Sequence, residues 1–173
     1  MKRKIALLAI LAITLTFMGA GFAEAVTSTA PVTLSATIAS SATLTLNKTT
    51  VTFAGGELPP TAMAATENGA IVTATFRTAT LTPGTLTVLA AGDLVDGAGD
   101  IIPITAVKST GVNTDGQTFF LAGPVTWSKT AGVTVGTGPS GTYAGTFSWA
   151  LDNSWSYATG TYGATALYTL TAP

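Results

Sequence analysis

Apolar and hydroxyl-bearing residues alternate along much of the chain. Val32, Leu34, Ala36 and Ile38 interleave with Thr33, Ser35 and Thr37, and Val72, Ala74 and Phe76 interleave with Thr73, Thr75 and Arg77. A period of two turns one face of a segment toward a core and the other toward water, which is the signature of a half-buried β-strand. Further strands are predicted at 42–46, 50–53, 84–89, 101–107, 117–121 and 125–127. Turn-forming residues separate them at Gly55-Gly56, Pro59-Pro60, Asn68-Gly69, Pro83-Gly84, Asp96-Gly97, Asp115-Gly116 and from Pro139 to Gly141. The abundance of β-branched Thr and Val suits a pleated surface, and nothing has the periodicity of a long helix. Many short strands with regular turns predict an all-β fold of two antiparallel sheets packed as a β-sandwich.

Near the end the chain nearly repeats itself, with GTYAGTFSWAL at 141–151 and GTYGATALYTL at 160–170. Two copies are too few for a solenoid. They predict two long strands that show similar faces to one core. Tyr143, Gly145, Phe147, Trp149 and Leu151 share a face in the first, and Tyr162, Ala164, Ala166, Tyr168 and Leu170 share one in the second. Asp152-Asn153-Ser154-Trp155 between them supplies turn residues and a ring suited to cap one end of the sandwich.

The first 25 residues have another purpose. Met1-Lys2-Arg3-Lys4, an uncharged apolar run to about Phe22 and the small-x-small site Ala23-Glu24-Ala25 form a cleavable signal peptide. A retained membrane anchor is the alternative, since the run is nearly long enough to span. Cleavage leaves one domain, 26–173, in which 26–39 is an N-terminal extension. No later segment is apolar and long enough to cross a bilayer, so no membrane contact is expected after cleavage, and the product is expected outside the cell or at its surface. Cysteine is absent, which excludes disulfides and thiolate metal sites. With Lys2, Arg3 and Lys4 gone, Lys48, Arg77, Lys108 and Lys129 face seven carboxylates. Four scattered cations make no stripe for phosphate, and nucleic acid is not an expected partner.

Two stretches resemble a known class. Gly160-Thr161-Tyr162-Gly163-Ala164-Thr165-Ala166-Leu167-Tyr168-Thr169-Leu170 is similar to the Gly-x-Tyr plus alternating-strand ending of pilin-like surface subunits, including the spore-coat-U and cysteine-free fimbrial types. The segment from Asp93 through Asp96-Gly97 to Ile102-Pro103-Ile104 is similar to a turn and Ile-Pro stretch midway through such Ig-like extracellular domains. The resemblance implies an Ig-like fold whose weak edge is completed by a strand from another subunit. On that implication Val32, Leu34, Ala36 and Ile38 are the donor strand, and the partners are further copies or other surface subunits. Main-chain pairing would give adhesion, with alternate side chains filling pockets. The alternative is that the same strand pairs within its own chain. Many chaperone-assembled pilins carry a disulfide that this chain lacks.

The chemical inventory is short. Without His, triad hydrolases and His-bound zinc or iron are excluded. Lys108-Ser109 and Ser128-Lys129 are adjacent pairs that point to opposite faces of a strand, unsuited to Ser-Lys catalysis. Asp93, Asp96 and Asp100 are the one acidic cluster and the candidate calcium ligands, with capping of a turn as the alternative use of the same side chains. No other cofactor is expected. Trp155 and Tyr157 are candidates for stacking a glycan, and core packing is the alternative for these and for Trp127 and Trp149. Asn47-Lys48-Thr49 fits a glycosylation sequon. These readings add up to a non-catalytic, exported structural protein of a cell-surface fibre, pilus or coat, with a secreted carbohydrate-binding or adhesion module as the alternative.

Overall fold

A computed structural model of the chain describes residues 33–79 and 82–173. The segment expected to be a signal peptide, the start of the extension and Val32 lie outside the described residues. Contacts divide the chain at Thr37/Ile38, and every strand lies in the unit that starts at Ile38.

That unit is all-β. Its larger sheet has the order β1 (Ser41–Leu46), β3 (Ala70–Arg77), β10 (Gly141–Leu151), β7 (Val107–Asn113), β8 (Pro124–Thr126), and β2 (Met63–Ala64) pairs with the end of β10. Its second sheet has the order β11 (Ala166–Thr171), β4 (Gly84–Ala90), β9 (Val133–Gly138). A small hairpin, β5 (Leu94–Val95) with β6 (Ile101–Ile102), stands apart from both. All pairings are antiparallel.

Alternation along the sequence becomes burial in the structure. Val72, Ala74 and Phe76 of β3 and Tyr143, Phe147 and Trp149 of β10 point inward, where they meet Leu86 and Val88 of β4 and Val135 of β9. One core thus joins the two sheets, as in a sandwich. Its centre is aromatic: Phe119 stacks on Tyr143 at 4.6 Å between centroids and meets Phe120 edge-on at 5.0 Å. A second cluster under the β5–β6 hairpin collects Leu94, Ile102, Ile104, Val107 and Leu151.

The predicted strands hold at 42–46, 72–77, 84–89 and 125–126, and the first phrase, 141–151, is one unbroken strand. The segment 101–107 differs from expectation. It breaks into β6, a 3-10 turn at Ile104–Ala106 and the first residue of β7. Pro103 has no N–H for a ladder, and the Ile104 N–H turns to the Asp93 carboxylate at 3.0 Å. Residues 50–53 and 117–121 contribute one isolated bridge each, Phe53 to Ala65 and Phe120 to Gly136. The second phrase becomes a strand only from Ala166, where β11 begins. β7 beyond Val107 and the whole of β9 were not predicted, because glycines at 111, 136 and 138 interrupt the pattern of large residues.

Those glycines make room for the aromatic core. A Cβ on Gly136 would lie 2.7 Å from the Phe119 ring. On Gly145, in the middle of β10, it would lie 2.5 Å from the Phe120 ring and 2.6 Å from the Val112 carbonyl. Gly145→Ala is therefore expected to lower stability by about 1–3 kcal/mol through overpacking. Gly97→Ala, with nothing within 4 Å, serves as the control expected to change little, and chemical denaturation of the two variants checks the contrast.

Candidate functional site

The two sheets differ in width, five strands against three, and this leaves one flank unlike the other. On the flank of β9, residues 119–121 close the gap: Leu121 N–H donates to the Val135 carbonyl and Thr137 N–H to that of Phe119. On the opposite flank β1 ends the larger sheet and β11 ends the smaller. Among the described residues no strand pairs with the outer edge of either. The two edges meet at one end, where the Pro173 carbonyl accepts from Ser40 Oγ and Ala79 N–H.

Inside this flank the core is incompletely covered. Leu44 and Leu46 of β1, Tyr168 and Leu170 of β11, and Phe53 pack against the main cluster yet stay only partly buried. The main chain is also available. Asn47 N–H donates to Ile71 and Ala91 N–H to Thr165, which sets the alternation of both ladders. The N–H groups of Ala42, Leu44 and Leu46 in β1, and of Ala166, Tyr168 and Leu170 in β11, consequently face outward. Neither SATLTL of β1 nor ALYTLT of β11 carries a charge or a proline. Exposed edges are usually guarded by one or the other.

Tyr168 anchors this edge to the opposite sheet. Trp149 Nε1–H donates to its hydroxyl at 3.0 Å, and its ring stacks on Phe147 at 5.5 Å. Trp149 and Tyr168 stand at equivalent positions of the two phrases, 19 residues apart. The repeat therefore places two partners of one hydrogen bond on different sheets. Although the residue as a whole is only partly covered, the hydroxyl is enclosed. Desolvation pushes the phenol up to about 12, offset in part by hydrogen bonding with Trp149 and Ser109. Ser109 is buried and also accepts from Trp127 Nε1 at 3.1 Å.

The phrases share a second device. Tyr143 Oη donates to the Pro139 carbonyl at 2.8 Å and Tyr162 Oη to that of Ala158 at 2.9 Å, each four residues back. The preceding glycines are needed for different reasons. A Cβ on Gly141 would press on Tyr143, whereas one on Gly160 would lie 2.6 Å from Asp96 Oδ2. Gly163 then bonds both ways with Val95 of the β5–β6 hairpin. The two stretches that carried the resemblance, 93–104 and 160–170, thus touch each other.

The aspartates act separately. Asp93 pairs with Lys129 and accepts from Ile104 N–H, and these contacts hold its carboxyl below the usual range. Asp96 Oδ1 accepts from Ala98 N–H at 2.9 Å and Asp100 N–H at 2.8 Å, closing its own hairpin. Among the described residues no group of three acidic or other metal-binding side chains converges on a point. Turn capping accounts for Asp96, and an ion pair for Asp93.

The other candidates are dispersed. Trp155 is 75 % exposed and does not cap the sandwich end as expected. Tyr157 is partly buried against the second core cluster, whereas Trp155 is not. Of the donor residues, Leu34 and Ala36 lie in a stretch, 33–40, without assigned secondary structure, and Ile38 at its end is 69 % exposed. Asn47 of the sequon uses its side-chain oxygen to accept from Ile71 N–H. The Asp152 carboxylate pairs with Lys108 at 2.6 Å. The free flank was not found from the sequence. Its only signal was the absence of charge from two strands that nothing marked as edges.

Comparison with protein-family models, with curated proteins and with solved structures gives no match for this chain.

Two expectations follow. With a folded phenol pKa above the unfolded value of about 10, Tyr168 holds its full contribution below pH 10 and loses it as pH rises toward 12, a loss of about 2–3 kcal/mol. Urea midpoints of the wild type should fall across that interval, and Tyr168→Phe should flatten part of the fall. Melting temperatures in calcium and in chelator should coincide, while Asp96→Ala lowers both by removing the hairpin cap, about 1 kcal/mol.

Proposed function

We propose that the protein is a non-catalytic, exported subunit of a cell-surface fibre, pilus or coat, and that it assembles by strand pairing at the flank between β1 and β11. The observation that carries this reading is the pair of neighbouring, unguarded edges, SATLTL and ALYTLT, over an incompletely covered core. Such an edge is an aggregation hazard in a protein that remains alone, and a joining surface in one that does not.

β11 is the better acceptor. A strand added to it widens the three-stranded sheet and lies over Leu44 and Leu46, which a strand added to β1 would leave uncovered. The occupant is residues 26–39 of a second copy, whose Val32, Leu34, Ala36 and Ile38 would fill the gaps beside Tyr168 and Leu170. An Ig-like architecture is supported by the Tyr143 hydroxyl bonded back to the chain at the start of a central strand, the arrangement known as a tyrosine corner. Export is supported by the basic start, the uncharged apolar run and the Ala-x-Ala site within residues 1–25. A structural role also suits a chain without His or Cys.

A second reading, a carbohydrate-binding module, has one observation in its favour, the exposed ring of Trp155. Glycan-array binding that is lost in Trp155→Ala would favour it over assembly.

Purified protein is expected to form ordered polymers visible by electron microscopy. Deleting 26–39 should abolish them, and so should Ala166→Pro, which removes one outward N–H at the first residue of β11 while sparing the ladder to β4. Polymers that survive both changes would refute pairing at this edge.

A further inference from the structure

The side of β10 that carries β2 and β3 has a notch. β3 pairs with it as far as Phe147 opposite Ala70, and β2 takes up the ladder again at Ala150 opposite Ala64. Between them Ala65 N–H donates to the Trp149 carbonyl at 3.0 Å and Gly69 N–H to the Phe147 carbonyl at 2.9 Å, while Thr66, Glu67 and Asn68 leave the ladder as a turn. The Trp149 N–H then has no main-chain acceptor beside it, and the side-chain oxygen of Asn68 takes that place at 2.6 Å. The turn is also tied on its other side. Thr66 N–H donates to the Thr52 carbonyl at 2.9 Å, and the Glu67 carboxylate accepts from Thr52 N–H at 2.7 Å. Asn68 and Gly69 are both exposed, and Gly69, with φ at 84°, has open space where a Cβ would stand.

An asparagine followed by glycine is the pair most disposed to react with itself, because nothing on the glycine hinders approach of its nitrogen to the neighbouring amide. The Gly69 nitrogen attacks Asn68 Cγ; the new N–Cγ bond closes a cyclic imide, the Cγ–Nδ2 bond breaks, and ammonia leaves with the proton that the Gly69 nitrogen gives up. Water then opens the imide at either carbonyl. Residue 68 becomes aspartate, or isoaspartate with the main chain running through Cβ and Cγ. Water enters and ammonia departs, with no other reactant. Asn47, Asn113 and Asn153 precede Lys, Thr and Ser, whose side chains hinder the same attack. In the folded chain both reacting groups of the Asn68–Gly69 pair are engaged, the Gly69 N–H by Phe147 and the Asn68 amide oxygen by Trp149. Reaction therefore has to wait until the turn lets go of β10.

From this geometry we propose that Asn68–Gly69 is a self-modification site gated by the fold, silent while the turn sits on β10 and converted in molecules whose turn has opened. The two products differ in consequence. Aspartate keeps an oxygen that accepts from Trp149 N–H. Isoaspartate lengthens the main chain by a methylene and loses the register in which residues 68 and 69 reach Trp149 and Phe147 together. Trp149 is also the residue whose indole holds Tyr168 of the other sheet, so the isoaspartate form loosens a contact between the sheets. The conversion is a permanent record of local opening in a chain that has no disulfide to prevent it.

The test is peptide mass spectrometry of the purified full chain held at neutral pH in buffer and in denaturing urea. In urea residue 68 should convert ahead of Asn47, Asn113 and Asn153, and Gly69→Ala, whose methyl group hinders the attack, should slow it. In buffer the conversion should be at least about tenfold slower than in urea, because opening must come first. Glu67→Ala removes the tie to Thr52 and should speed conversion in buffer while circular dichroism shows the fold intact; if that variant does not fold, urea below the unfolding midpoint of the wild type takes its place. No preference for residue 68 in urea overturns the site. Equal rates in buffer and urea overturn the gating, as does a folded Glu67→Ala that converts no faster than the wild type.

Discussion

A sandwich without a covalent cross-link depends on whatever crosses between its sheets, and in this protein the crossing is aromatic. Phe119 and Tyr143 stack at the centre, and Phe147 carries the order on to Tyr168, whose hydroxyl receives the Trp149 N–H. With no cysteine in the chain, stability must come from apolar burial and from polar tips that find partners inside it. Every buried side-chain nitrogen and oxygen among the described residues has such a partner. The glycines at 111, 136 and 145 belong to the same constraint, because large rings fill the space in which their side chains would stand.

The open flank is a consequence of the same construction. A narrow sheet facing a wide one can cover only part of it, and the rings concentrate burial under β10 and β4. Leu44 and Leu46 at the rim receive less cover, as do Tyr168 and Leu170. Edge hydrogen-bonding groups and incompletely buried apolar side chains then coincide on one side of the molecule. Charges lie almost entirely in turns and at strand ends, where Lys108 pairs with Asp152 and Lys129 with Asp93. Apart from Arg77 and Lys108 the strands carry no charge, so pairing with an added strand at the open rim carries little electrostatic desolvation cost.

Much of this was legible from residues alone. The strands 72–77, 84–89 and 141–151 announced themselves because each is half-buried along its length, so water on one side and core on the other imprint a period of two. Where burial is two-sided or irregular the imprint fails. β9 reads VTVGTG because Phe119 and Tyr143 crowd Gly136 and Gly138, and a residue chosen for the space it leaves has no hydropathy signal. The 101–107 segment alternates well and still breaks, since a proline and an aspartate eleven positions upstream of Ile104 compete for its backbone.

The sequence by itself determined that the chain is all-β, that the first of two matched phrases is a long strand, and that no His or Cys chemistry is available to it. These are local properties: alternation and composition act through neighbours in the chain. Only the tertiary structure decided which strands stand at an edge, that Trp149 of one phrase would bond Tyr168 of the other, and that Asn68 would reach the Trp149 main chain. Each of those depends on register between segments distant in sequence, and register is set by how rings pack in a shared core, which no stretch of the chain contains alone.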